Sequence, residues 1–350
     1  MITIQKAYSY DDVLLVPRYS DVNSRVDIDL SVDMCGLKFN TPIIPANMKD
    51  IVSQNFAEKM LQHQGLVILN RFDNNQVHIF EYLSKKYGTK FVAEHVCFSL
   101  GVNDIDYNLF ESFTKIGGKL FCVDVAHGHS KKVVHMIENI KKSNRAQILI
   151  AGNVATPDAA IKLWSAGADV VKVGIGPGKI CTTRLETGCG YPQLSALSNI
   201  NDAKSCYRAR FGDNQLIADG GIKSPGDCVK ALCFADMVMA GSIFAHAVEA
   251  AGEIVVIDGI TYKKYSGSST HKNSRIEGRI VYEELNDCVD DIMKRYHESI
   301  QSGLSYLGVQ ELSKLNASKP VFVEISTLQG QNDFSKETLR LTREQIQKKI

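Results

Sequence analysis

The residues best placed to do chemistry lie in one run, Gly174-Ile-Gly-Pro-Gly-Lys-Ile-Cys-Thr-Thr-Arg184. Gly174, Gly176 and Gly178 permit backbone conformations closed to other residues, so carbonyls or amides can turn inward. Inward carbonyls suit a monovalent cation and inward amides suit an anion. Cys181 closes the run, with Lys179 and Arg184 near in sequence to favour its thiolate, the form that acts as nucleophile. Taken alone, the run reads equally well as a Gly-rich turn with an incidental cysteine.

Two further motifs shift that balance. Asp219-Gly220-Gly221 offers a carboxylate for a ribose diol beside glycine amides for a phosphate. Gly241-Ser242 reads as the opening of a helix, where an anion is well received. Either alone is weak; together they point to a nucleoside monophosphate. Asp124-Val-Ala-His127-Gly-His129-Ser could suggest a metal, but no third ligand is evident. Hydrogen bonding to a ribose or a nicotinamide suits it better.

These motifs need a common scaffold, and the chain supplies one. From residue 40 to about 250 a short β-branched run, a turn and an amphipathic stretch repeat. The apolar runs span 42–47, 66–69, 91–96, 119–124, 147–152, 169–174, 215–220 and 236–241. Near-continuous apolar strands alternating with helices indicate a parallel sheet covered on its outer face. Eight of them select a closed (β/α)8 TIM barrel, in which chemistry gathers at the C-terminal strand ends. Asn47-Met48, Asn70-Arg71, Asp124, Asn153, the loop after Gly174, Asp219-Gly220-Gly221 and Gly241-Ser242 all fall at such ends and converge on one rim. An open doubly wound sheet is the competing arrangement, but no G-x-G-x-x-G follows the first strand.

Composition excludes several function classes. Lys plus Arg is 40 against 39 for Asp plus Glu, so no general positive field draws nucleic acid or an anionic membrane. No apolar run is long enough to span a bilayer, and the start lacks the layout of a signal peptide. The nine cysteines form no C-x-x-C pair and read as free thiols of the cytoplasm, most of them small buried hydrophobes.

The runs VKVGIGPGKICTTRLETGCGYPQLSAL, IADGGIKSPGDCVKAL and VMAGSIFAH, with the opening YSYDDVLLVPRYSDVNSR, resemble the IMP dehydrogenase/GMP reductase family over roughly residues 8 to 310. The resemblance implies one catalytic barrel over 1–330, without the regulatory insert of many dehydrogenases; residues 331–350 are polar and charged and read as a tail without an assigned role. Within the family, Thr-Thr-Arg then TGCGYPQ after the cysteine, and Glu277-Gly278 soon after Tyr265, are similar to the reductase branch. The Arg-Tyr flap that activates water in dehydrogenases is not found there; Arg295-Tyr296 lies later, in a helical stretch.

What the resemblance implies for residues is specific. Cys181 forms a thioimidate with a purine C2, and Thr183 and Glu277 relay the proton that lets ammonia leave. Met48 packs on the base, Asp219 holds the ribose, and Gly221, Gly241, Ser242 and Tyr265 take the phosphate, with Gly267 and Ser268 adding nucleotide contacts. Asp124 and Asn153 face NADPH, and the carbonyls of Gly176, Gly178 and Cys181 could ring a potassium ion. The reaction would be reductive deamination of GMP to IMP in a homotetramer. The dehydrogenase reaction, IMP to XMP with NAD, is the alternative, and a catalytically silent nucleotide-binding barrel a third. Three departures stand out: Lys179 where many members have serine, Ser266-Gly267 in place of Gly-Met, and Arg275-Ile276 before the glutamate.

Overall fold

All but one of the eight apolar runs are strands where their spacing puts them. The computed structural model describes residues 3–72, 74–212, 214–267 and 278–325, without the side chains of 207–211. Strands β1 (Ile43–Pro45), β2 (Val67–Ile68), β3 (Val96–Leu100), β4 (Leu120–Asp124), β5 (Ile148–Val154), β6 (Val170–Val173), β7 (Gln215–Asp219) and β8 (Met237–Ala240) form one sheet. Its order is β1-β8-β7-β6-β5-β4-β3-β2, every ladder parallel. The two ends of that order, β1 and β2, also lie against each other, so the sheet is nearly closed into a barrel.

The exception is the third strand. Residues 91–96 were expected to be extended, yet Thr89–His95 is helical and the strand is Val96–Leu100. Burial explains the shift: Val92, Ala93 and His95 recur at helical spacing, whereas all five residues of Val96–Leu100 are buried, as a strand covered on both faces requires.

Helices fill the outer layer: α1 (Gln54–Gln62), α2 (Gln76–Tyr87), α3 (Thr89–His95), α4 (Asp104–Lys115), α5 (Lys131–Lys142) and α6 (Pro157–Ala166), then, after the short α7 (Thr183–Thr187) that follows Cys181, α8 (Gln193–Phe211), α9 (Pro225–Leu232) and α10 (Val289–Tyr306). Helix α5 shows why. Val133, Met136, Ile137 and Ile140 fall on one stripe and are buried, each contributing roughly 1.5–3 kcal/mol. Ser224 caps α9 by accepting the Asp227 amide at 3.3 Å, with Pro225 in the first turn.

A hairpin of Val32–Met34 and Leu37–Phe39 sits at the N-terminal end of β7, where Gln215 accepts the Cys35 amide at 3.1 Å. Val13–Leu15 pairs antiparallel with Phe322–Glu324 and so ties the chain's two described ends together. After β8 come β9 (Ile254–Ile257), β10 (Ile260–Ser266) and β11 (Ile280–Glu284), an antiparallel sheet the sequence reading did not anticipate. Of the nine cysteines only Cys97, Cys122, Cys228 and Cys233 are buried, so the expectation that most are core residues does not hold. Among the described residues no helix is long and apolar enough to cross a membrane.

Candidate active site

A lysine inside the barrel organises the mouth. Lys172, on β6, is 1% exposed, and its ammonium lies 2.8 Å from Asp124 Oδ1 and 3.1 Å from Asp219 Oδ2. The two carboxylates come from the C-terminal ends of β4 and β7 and meet on this one charge. Asn47 donates to Asp124 Oδ2 at 3.0 Å, and Asn153 donates to Asp219 Oδ2 at 2.8 Å. Burial alone would raise the pKa of Asp124; the Lys172 charge and the Asn47 amide outweigh it and hold the carboxyl below its ordinary value. Burial would discharge Lys172, and the two aspartates reverse that, so the ammonium is kept charged.

The cysteine loop follows β6. Gly174 and Gly176 adopt positive φ, whereas Gly178 does not. Cys181 is half-buried, its amide donates to the Gly178 carbonyl at 3.1 Å, and its sulfur lies 3.2 Å from Thr183 Oγ1. The two basic neighbours each have a partner besides the thiol; burial lowers the Arg184 pKa and Cys181 opposes that, so Arg184 still faces Cys181 electrostatically. Lys179 Nζ pairs with Glu283 Oε1 at 2.7 Å, and Arg184 Nη2 donates to the Tyr191 carbonyl at 2.5 Å. Lys179, expected to favour the Cys181 thiolate, thus has its charge offset by a carboxylate.

The nucleotide side assembles around the same loop. Gly220 and Gly221 take φ of +87° and +81°, which an L side chain resists, and this turn packs on Pro177 of the cysteine loop. Ser242 donates to the Ile222 carbonyl at 3.3 Å, linking the eighth strand end to the Asp-Gly-Gly turn. Residues 241–249 are a series of turns, so the helix expected to begin at Gly241-Ser242 is not there; the first bond, Phe244 amide to Gly241 carbonyl, is not continued as an α-helix. The Tyr265 hydroxyl reaches Met48 Sδ at 3.5 Å and crowds Gly241, where an added side chain would strike it. Burial, then Glu283, Asp219, Asp50 and Cys181, push the Tyr265 phenol well up, so it stays a neutral donor. Ser266 is fixed next to it by its amide, 2.8 Å from Asp50 Oδ2, and Gly267 continues toward the Arg279 carbonyl at 3.3 Å.

A cavity of ≈ 320 Å³ opens at this mouth, lined by Met48, Asp124, Asn153 and Asp219. It also touches Asn47 and Arg71, which the sequence reading put on this rim without a role, and Lys172, which it passed over. Lys172 had a usable signal, a charge within the apolar strand Val170–Val173 that burial obliges to find partners. Ser268 and Glu277 lie outside the described residues. His127 and His129 stack edge to face 6.5 Å apart, and among the described residues no three His, Cys, Asp or Glu side chains converge as for a metal.

Comparison with known proteins shows the family. The family described as the IMP dehydrogenase / GMP reductase domain matches residues 7–333. A protein called GMP reductase from Acidovorax ebreus (strain TPSY) is 39% identical over 317 residues, 87% of this chain and 92% of that protein. One of the same name from Staphylococcus carnosus (strain TM300) is 37% identical over 339 residues, covering 94% of this chain and 100% of its own. Another, from Streptococcus equi subsp. zooepidemicus (strain H70), is 35% identical over 339 residues, 94% of this chain and 99% of its own.

Proposed function

The chain belongs to the IMP dehydrogenase / GMP reductase family, and we propose that within it the protein is a GMP reductase, an oxidoreductase that converts GMP to IMP and ammonia with NADPH. The observation that carries this reading is the Cys181 sulfur 3.2 Å from the Thr183 hydroxyl, with Cys181 and Asp219 both acting on Tyr265, whose hydroxyl reaches Met48. A thiol is the right nucleophile, because it adds to an unsaturated carbon and still leaves readily.

The chemistry balances as GMP + NADPH + 2H⁺ giving IMP, NADP⁺ and ammonium. The Cys181 sulfur bonds to C2 of the purine, and the exocyclic amine departs as ammonia, protonated through Thr183 with Glu277. This leaves a thioimidate. The cofactor, when bound, supplies one hydride to C2. The carbon–sulfur bond then breaks and its electrons return to Cys181. Met48 packs on the base, Asp219 holds the ribose, and Gly221, Gly241, Ser242 and Tyr265 hold the phosphate, with further nucleotide contacts assigned to Gly267 and Ser268.

Asp124 and Asn153 would hold the nicotinamide half of the cofactor. The cavity fits such a group: among the described residues Asn153 Oδ1 and Arg71 Nε are buried with no hydrogen-bond partner, one acceptor and one donor, as a carboxamide needs. Potassium would sit among the carbonyls of Gly176, Gly178 and Cys181; Gly178 spends one lone pair on the Cys181 amide and keeps the other. A homotetramer in the cytoplasm completes the reading. The test follows absorbance at 340 nm. GMP with NADPH should lose it at a steady rate, and IMP with NAD should yield no accumulating XMP; sustained XMP would overturn the assignment in favour of the dehydrogenase.

A further inference from the structure

Lys179 stands where serine is common in the family, in the loop that leads to the nucleophile, and the nucleotide reading gives it no role. A cation beside a phosphate site suggests a phosphate ligand. The geometry points elsewhere. The Lys179 ammonium lies 2.7 Å from Glu283 Oε1, and that carboxylate side chain is only 10% exposed. One residue on, the Ile180 carbonyl accepts the Arg279 amide at 2.9 Å, and Ile180 is buried. Two successive residues before Cys181 are thus fastened to one edge of the β10–β11 hairpin, one through its side chain and one through its backbone.

The loop needs such fastening. Its glycines keep the backbone free to take many conformations, and ordering it costs entropy that the neighbours must offset. The hairpin is itself held: Ser266 is bonded through its amide to Asp50 at 2.8 Å, and Lys263, on β10 opposite Glu283, donates to the Val248 carbonyl at 3.0 Å. It therefore offers a fixed edge.

We propose that Lys179 is a positioning residue for Cys181: its ion pair with Glu283 clamps the cysteine loop to strand β11 and sets where the sulfur sits against the bound purine. This rests on the reading of Cys181 as nucleophile. A reacting atom displaced by an ångström loses rate far more than binding, so the clamp acts on kcat. A phosphate ligand in the same place would act on the KM for GMP.

The experiment is a double-mutant cycle of Lys179→Met, Glu283→Met and both together in the full-length protein, with kcat and KM for GMP measured under saturating NADPH. Thermal melts confirm folding, and the rate of Cys181 alkylation by iodoacetamide is followed by peptide mass mapping. Each single change should lower kcat roughly 10-fold, shift KM for GMP less than about 3-fold and change the Cys181 alkylation rate. The double change should cost no more than either single one, as coupled neighbours do. A rise in KM with kcat preserved would make Lys179 a phosphate ligand and overturn the clamp. So would additive losses, or no loss at all. If the unaltered protein does not reduce GMP, the functional reading fails by itself; the clamp is then judged on the alkylation rates, which must still change non-additively across the cycle.

Discussion

Lys172 reaches Asp219 at 3.1 Å from inside the barrel, so the carboxylate expected to hold a ribose is held by the protein before any ligand arrives. The same ammonium binds Asp124 at 2.8 Å. One buried cation therefore orients the residue assigned to the nucleotide and the residue assigned to the cofactor. A ribose diol donates hydrogen bonds and carries no charge, so it can share Asp219 with Lys172 without displacing it.

Removing that cation should be severe. Lys172→Met leaves two carboxylates facing each other at the barrel mouth, and breaking a buried pair on one side typically costs roughly 3–5 kcal/mol. Urea denaturation should show a loss of that size, and Lys172→Arg, which keeps the charge, should recover most of it. Equal stability of the Met variant and the unaltered protein would mean that solvent already satisfies both aspartates.

Cys181→Ser should bind GMP with affinity close to the original and form no covalent adduct. Turnover should fall by several orders of magnitude, because the pathway itself is removed. Intact-mass measurement after acid quench reads the adduct, and isothermal titration reads the binding. Substantial remaining activity would exclude a thioimidate.

Acid should weaken the fold in part through His297. Burial, and secondarily His63, lowers its pKa from 6.5 to about 4, and its ring lies 2.8 Å from Thr41 Oγ1. Below pH 6.5 the unfolded chain takes up a proton that the folded one refuses. Its contribution is therefore complete above that pH and is lost as pH falls toward about 4. At pH 5 the loss should be about 2 kcal/mol. Denaturation midpoints at pH 7 and pH 5 test this: His297→Gln, which does not titrate, should narrow the gap by that amount, and an unchanged gap would remove His297 as a cause.

Much of this was legible in the chain because strand-end residues follow from the repeat itself. Once the runs are counted, Met48, Asn153 and Asp219 are brought to one rim by topology alone, and the structure joins Asn153 to Asp219 at 2.8 Å. Cross-barrel partners are not legible in that way. Lys172 is 47 residues from Asp219, and its pairing depends on which way a strand side chain points inside the barrel. The Gly241 helix failed for a local reason: glycine followed by serine suits a turn as well as a helix start, and the run of turns after β8 takes the first option. The β10–β11 hairpin was missed because its strands, ITYKKYS and IVYEE, carry lysines and glutamates and lack the continuous apolar signature of the barrel strands; Ile260–Ser266 and Ile280–Glu284 are about half polar.

The final prediction separates the two chemical steps and bears on Glu277, which lies outside the described residues. If Glu277 helps to protonate departing ammonia, Glu277→Gln should block GMP reduction and spare hydride transfer, which needs only the nucleotide, the nicotinamide and Cys181. The variant mixed with IMP and oxidised cofactor should still give a burst of reduced cofactor near one per active site, seen at 340 nm. Loss of a general acid costs ~10²–10⁴-fold in rate, so steady GMP turnover should fall by about that factor. A purely structural Glu277, ordering its segment through Arg275 or Arg279, would behave differently. Nucleotide binding itself would then suffer, and burst and turnover would decline together. Arg279 makes this comparison sharp: its backbone amide is bonded to Ile180 at 2.9 Å, one residue before the nucleophile, so disorder spreading from 277 would reach Cys181 and be seen in the burst. Parallel losses in both measurements would end the proton-donor role.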